Sequence, residues 1–132
     1  MKVVALDHVN IIAADLNGTA QYYAELLGLS RRDAPPPLTP EHAQWMYDDD
    51  GRAILHINSV DCPRAFAREV HPGPTGSIHH VALNCVGYDG MIDRLESRGA
   101  EYRVNIIQAI GLRQLFTVDP NGVLLELNFR GD

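Results

Sequence analysis

Polar and apolar residues alternate through four separate stretches of the chain. His8, Asn10 and Ile12 alternate with Val9 and Ile11, and Ile54, His56 and Asn58 with Ala53, Leu55 and Ile57. His80, Ala82 and Asn84 alternate with Val81, Leu83 and Cys85, and Leu124, Glu126 and Asn128 with Val123, Leu125, Leu127 and Phe129. Alternate residues of a strand share a face, so each stretch predicts a strand with one apolar and one mixed face. The first and third belong to apolar strands over about residues 3 to 13 and 77 to 86. A helical spacing of Tyr22, Tyr23, Leu26 and Leu27 runs from Asp15 or Asn17, both N-cap candidates, to Gly28. Met91, Ile92 and Leu95 mark a second helix from about Asp89 to Gly99. Asp50-Gly51 and Asn121-Gly122 predict hairpin turns, because these dipeptides accept positive backbone angles.

These elements recur. Asp7-His8-Val9 and Ile11 are answered by His79-His80-Val81 and Leu83 at an offset of 72. Ile54 to Asn58 is answered by Leu124 to Asn128, and Gln44 by Gln114, at 70, with Gly28 and Gly99 at 71. Two copies of one βαβββ unit follow. The expected architecture is an α+β fold of two tandem βαβββ modules within a single domain, residues 1–132. Module one covers 1–60, a linker 61–76 and module two 77–132. The linker carries Pro63, Pro72, Gly73, Pro74 and Gly76, with a short helix expected over Arg64 to Val70. Residues 34 to 40, with four prolines, predict a non-helical loop.

Charge and cysteine content narrow the function. With 17 acidic against 11 basic residues and a net charge of -6, the chain lacks the basic face that nucleic acid requires. Cys62 and Cys85 show no CxxC spacing, which fits a reducing compartment and a cytoplasmic location. The start MKVVALD reads as neither signal peptide nor membrane anchor, and no segment approaches spanning length.

The mixed faces carry the candidate chemistry. A solvated sheet face normally holds Lys, Thr, Glu and Arg, and each histidine alone fits such a surface. The four repeat-related positions instead hold His8, His56, His80 and Glu126, a first-row metal ligand set. Imidazoles and a carboxylate gathered in a groove would need a cation or hydrogen bonds to offset their burial. Asn10, Asn58, Asn84 and Asn128 on the mixed faces, and Arg113 and Gln114 at the seventh strand, are candidates for orienting a substrate. Trp45, Met46, Tyr47 and Phe116 read as core or groove lining, with Tyr47 a candidate hydroxyl contact to substrate. His42 and His71 fall in loop and linker, and His79 faces opposite to His80 as a candidate supporting partner.

The segments LDHVNI at 6–11, TAQYYAELLGL at 19–29, SIHHVALN at 77–84 and RQLFTVDPNGVLLELNF at 113–129 resemble the vicinal oxygen chelate superfamily. That superfamily includes glyoxalase I, type I extradiol dioxygenases, fosfomycin-modifying enzymes and bleomycin-resistance proteins. The resemblance implies a half-open barrel around one divalent ion (Fe, Mn, Zn, Ni or Co). His8, His80 and Glu126 fall on its most used ligand positions and His56 on a fourth, as ligand or general base. It implies an enzyme binding a small substrate through adjacent oxygens, either a glyoxalase-like lyase or isomerase or a ring-cleaving dioxygenase, and a homodimer. His56 stands where glyoxalase I has a carboxylate. Phe116 stands where the dioxygenases carry a tyrosine, and a phenyl ring cannot exchange a proton. The alternative is a ligand-sequestering protein of the bleomycin-resistance type, which lacks catalysis.

Overall fold

The computed structural model describes residues 1–64, 69–71 and 73–131. The chain forms two compact units, Met1–Val70 and His71–Asp132. The first contains β1 (Val9–Ala13), α1 (Leu16–Leu27), β2 (Ser30–Asp33), β3 (Ala43–Tyr47) and β4 (Ala53–Ser59). The second contains β5 (Val81–Cys85), α2 (Tyr88–Ser97), β6 (Tyr102–Ile107), a 3-10 turn over Gln108–Ile110, β7 (Leu112–Val118) and β8 (Leu124–Arg130). The two sheets have matching orders, β1-β4-β3-β2 and β5-β8-β7-β6. Each is the βαβββ arrangement expected from the repeat. Most of the short helix expected over Arg64 to Val70 lies outside the described residues.

In the first unit, Asp15 caps α1 by accepting a hydrogen bond from the Gly18 backbone at 2.9 Å, and Gly28 ends it in the left-handed conformation. The helix buries Leu16, Ala20, Tyr23 and Leu26, and the sheet supplies Ile11, Met46, Leu55 and Ile57. Burial of each large side chain is worth about 1.5–3 kcal/mol. In the second unit, Tyr88, Met91 and Leu95 of α2 are buried, with the Tyr88 ring edge-on to Phe129 at 5.3 Å.

The parallel registers settle how the repeats align. Asn10 pairs with His56, and Ala82 with Glu126, so the offsets of 72 for β1/β5 and 70 for β4/β8 hold together. The match of Gln44 with Gln114 is corrected. Trp45 pairs with His56 and Phe116 with Glu126, while Ala43 pairs with Asn58 and Gln114 with Asn128. Ala43 is therefore the equivalent of Gln114, and Trp45 that of Phe116. A one-residue shift of register moves every side chain to the other face. It puts Gln44 on the helix side, where it accepts from Arg31 and donates to Asp33 and the Pro40 carbonyl.

The strands expected over 3 to 13 and 77 to 86 are shorter, beginning at Val9 and Val81. Within each sheet, among the described residues, β1 and β5 are edge strands paired with β4 and β8, and those partners begin at Ala53 and Leu124. By these registers the partner strands end opposite Asp7 and His80, and the residues before those have no ladder to join.

The β3–β4 and β7–β8 hairpins, where turns were expected, are each closed by an aspartate that precedes the turn. Asp48 Oδ1 accepts from the Asp50 and Arg52 backbones, and Asp119 Oδ1 from those of Asn121 and Val123. The Arg52 backbone N–H, reinforced by the Arg52 guanidinium, holds the Asp48 carboxyl below its ordinary value. A depressed carboxyl makes the unfolded chain bind more protons as pH falls, so this stabilisation is complete above the ordinary value and is lost through the folded one. Unfolding measured between about pH 5 and pH 2 is expected to be less acid-dependent in Asp48→Asn than in wild type.

Candidate metal-binding and catalytic site

The mixed face of the first unit carries a stack of three rings. His56 lies between His8, at 3.7 Å between centroids and 14°, and Trp45, at 3.9 Å and 5°. His8 immediately precedes β1 and is held by Asp7 at 2.6 Å. Burial, followed by the nearby His8, lowers the pKa of His56 and favours the neutral imidazole. Nearly parallel rings this close have in-plane lone pairs that do not meet. As they stand, His8 and His56 cannot both direct a nitrogen at one ion. Asn10 donates to the buried Asn58 on the same face, tying β1 to β4. Tyr47 also lies on this face, with the Arg32 guanidinium 4.5 Å above its ring.

In the second unit, His80 Nε2 lies 3.1 Å from Glu126 Oε2. Gln114 Nε2 and Asn128 Nδ2 donate to Glu126 Oε1 at 2.8 and 2.9 Å. Gln114, expected to orient substrate, instead spends both its donors on Glu126 and Asn128. Strand alternation puts its neighbour Arg113 on the helix face, where the guanidinium lies 4.2 Å over the Tyr88 ring and not beside Glu126. Asn84 accepts from Arg130 at 2.9 Å. His79 Nδ1 meets His80 Nδ1 at 3.0 Å, which places His79 as a partner of the opposite ring nitrogen. Burial pushes the Cys85 thiol up to about 11, so it is no thiolate at neutral pH.

Within each unit, among the described residues, no three His, Cys, Asp or Glu side chains form a metal-ligating group. The pair in the second unit nevertheless fits an ion. Two ligands each about 2.1 Å from a metal stand about 3 Å apart when adjacent, as His80 Nε2 and Glu126 Oε2 do. The supporting amides on the other carboxylate oxygen are the outer partners such a ligand uses.

Two contributors escaped the sequence reading. Asn105 donates to Gln114 Oε1 at 2.7 Å from the edge strand β6 and has no counterpart in the repeat. The sequence marks Trp45 as a lining residue, without showing that it stacks on His56. Its place against His56 would have followed from the one-residue register difference between the hairpins.

Among the described residues no helix is long and apolar enough to cross a membrane. The fold resembles several solved structures. An integron cassette protein from the mobile metagenome of V. cholerae is 17% identical, with a TM-score of 0.74 over 99% of this chain and 98% of that one. The fosfomycin resistance protein FosX from Listeria monocytogenes is 16% identical, with a TM-score of 0.70 over 98% and 96%. TioX from Micromonospora sp. ML1 is 16% identical, with a TM-score of 0.71 over 97% and 100%. A comparison with curated proteins returns no match. The model of the Glyoxalase/Bleomycin resistance protein/Dioxygenase superfamily matches residues 5–127, nearly the whole chain, and the protein belongs to that superfamily.

Proposed function

We propose that the protein is a metal-dependent enzyme that binds a small substrate through two adjacent oxygens and moves a proton on it. The observation that carries this reading is the His80–Glu126 pair, with one carboxylate oxygen beside the imidazole and the other anchored by amides. Superfamily members commonly use a divalent metal. Here His80 and Glu126 would hold it, and the superfamily resemblance names His8 as a further ligand. A divalent ion bound by two histidines and one carboxylate keeps positions open and supplies Lewis acidity to substrate oxygens.

The general base in this reading is His56. Its lowered pKa keeps it able to accept a proton at neutral pH, and its stacking between His8 and Trp45 fixes the plane in which it does so. The parallel stack disfavours His56 as a ligand beside His8. Proton transfer is favoured over ring cleavage because Phe116, opposite Glu126 in the ladder, offers no hydroxyl. The proposed setting is a cytoplasmic homodimer.

Metal content of protein purified without chelator tests the reading. Wild type is expected to hold stoichiometric divalent metal and His80→Ala to lose it, while His56→Ala keeps metal and loses turnover of hemithioacetal-type substrates. The enzyme reading fails if wild type holds no metal and Fe, Mn, Ni, Co and Zn salts change neither stability nor activity. Ligand binding with no metal would favour sequestration, and consumption of oxygen with catechols would favour ring cleavage.

A further inference from the structure

The orientation of Gln114 is dictated by its neighbours. A carboxylate only accepts hydrogen bonds, so Glu126 Oε1 turns the amide nitrogens of Gln114 and Asn128 toward itself, at 2.8 and 2.9 Å. The second hydrogen of Gln114 Nε2 goes to Asn128 Oδ1 at 2.9 Å. Gln114 Oε1 must then accept, and Asn105 Nδ2 donates to it at 2.7 Å. Gln114 and Asn128 are buried, so an amide turned the wrong way would leave polar atoms facing each other without partners. Asn105 is exposed on β6 and closes the chain of donors from outside.

The first unit lacks this network at the corresponding place. Ala43 stands at the position of Gln114, His56 at that of Glu126, and Asn58 bonds to Asn10. The donors therefore accompany the carboxylate and are not part of the fold's common scaffold.

We propose that Gln114, oriented by Asn105, is a positioning residue that occupies Glu126 Oε1 and leaves Oε2 as the single oxygen presented to a divalent ion. The proposal rests on the metal-binding reading above and adds to it the device that presents one oxygen. It also gives a remote surface residue control over metal affinity. Asn105 bonds to Gln114, which in turn bonds to Glu126.

Calorimetric titration of the metal-free full chain with Co2+ or Mn2+ tests it. Gln114→Leu removes both donors, and a fall in affinity of about 10–100-fold is expected, the range for outer partners of metal ligands. Asn105→Asp and Asn105→Lys are the sharper pair. Charge alone makes the aspartate variant bind a cation more tightly than the lysine variant. The proposal requires the reverse order. An aspartate can only accept, so it draws Gln114 Nε2 outward and turns Oε1 onto Glu126, whereas a lysine can only donate and keeps Gln114 in place.

A general loss of fold stability does not produce that reversed order, and the exposed position keeps the pair informative if Gln114→Leu fails to fold. The aspartate variant binding as tightly as the lysine variant, or more tightly, overturns the proposal. So does unchanged affinity in a folded Gln114→Leu. If wild type binds neither ion, the metal reading falls and takes the proposal with it. If wild type binds and the order follows charge, only the positioning role falls.

Discussion

Glu126→Gln is expected to yield a folded protein that no longer takes up metal. The new amide can turn its oxygen to the place of Oε1, where Gln114 and Asn128 already donate, so the buried network stays satisfied. Its NH2 then lies where Oε2 stood, beside His80 Nε2, and carries neither charge nor a lone pair suited to a metal. Thermal unfolding without metal should stay near that of wild type, while affinity for Co2+ or Mn2+ falls by more than the about 100-fold that outer partners reach. Elemental analysis and calorimetry read the two quantities separately. Retention of stoichiometric metal by the folded variant would remove Glu126 from the ligand set.

The second large effect concerns stability, and the repeat supplies its control. Gly51 and Gly122 close equivalent hairpins with φ of 78° and 83°. Both leave the region open to other residues, so alanine at either costs about 1–2 kcal/mol in backbone strain. Their surroundings differ. Nothing lies within 4 Å of a side chain added at Gly51, whereas at Gly122 it would stand 2.7 Å from the Gly73 Cα and 2.8 Å from the Gly73 nitrogen. The Gly73 N–H also donates to the Asn121 carbonyl at 3.1 Å, which seats the linker directly on the turn. Backbone cannot swing aside as a side-chain tip can, and such overpacking adds about 1–3 kcal/mol. Denaturant unfolding should therefore show Gly122→Ala losing about 2–5 kcal/mol and Gly51→Ala only about 1–2. Equal losses would mean that the linker is not seated on the turn in solution.

Much of the fold was legible because its determinants are local and occur twice. The alternation through β1, β5 and β8, and through β4 from Leu55 onward, assigned faces correctly, since strand geometry ties sequence parity to side; Ala53, expected opposite His56, instead pairs with Tyr47 beyond the irregularity in register. It put His8 and His56 on one face, and His80 and Glu126 on another. α1 was bounded by Asp15 and Gly28 through capping chemistry within a turn of each end. The lengths of β1 and β5 were overestimated because an apolar run says nothing of where its partner strand begins. Gln44 was aligned with Gln114 on residue identity, and the hairpin registers show that Ala43 holds the equivalent place. Pairing register depends on the turn and on the irregularity between Met46 and Tyr47, neither of which composition reveals.

The sequence by itself determined that the chain is two copies of a βαβββ unit, that it belongs with the glyoxalase-like proteins, and which four residues occupy corresponding mixed-face positions. These follow from periodicity, capping and repeat, all of which act between near neighbours or recur at a fixed spacing. Only the tertiary structure decided what those residues touch. His56 became a ring held between His8 and Trp45, Gln114 a partner of Glu126, and Arg113 a helix-face residue on Tyr88. Contacts between strands depend on register to the single residue, and side-chain amides take their orientation from neighbours far away in the chain. That is why Asn105, with no motif to mark it, ends the network that holds Glu126.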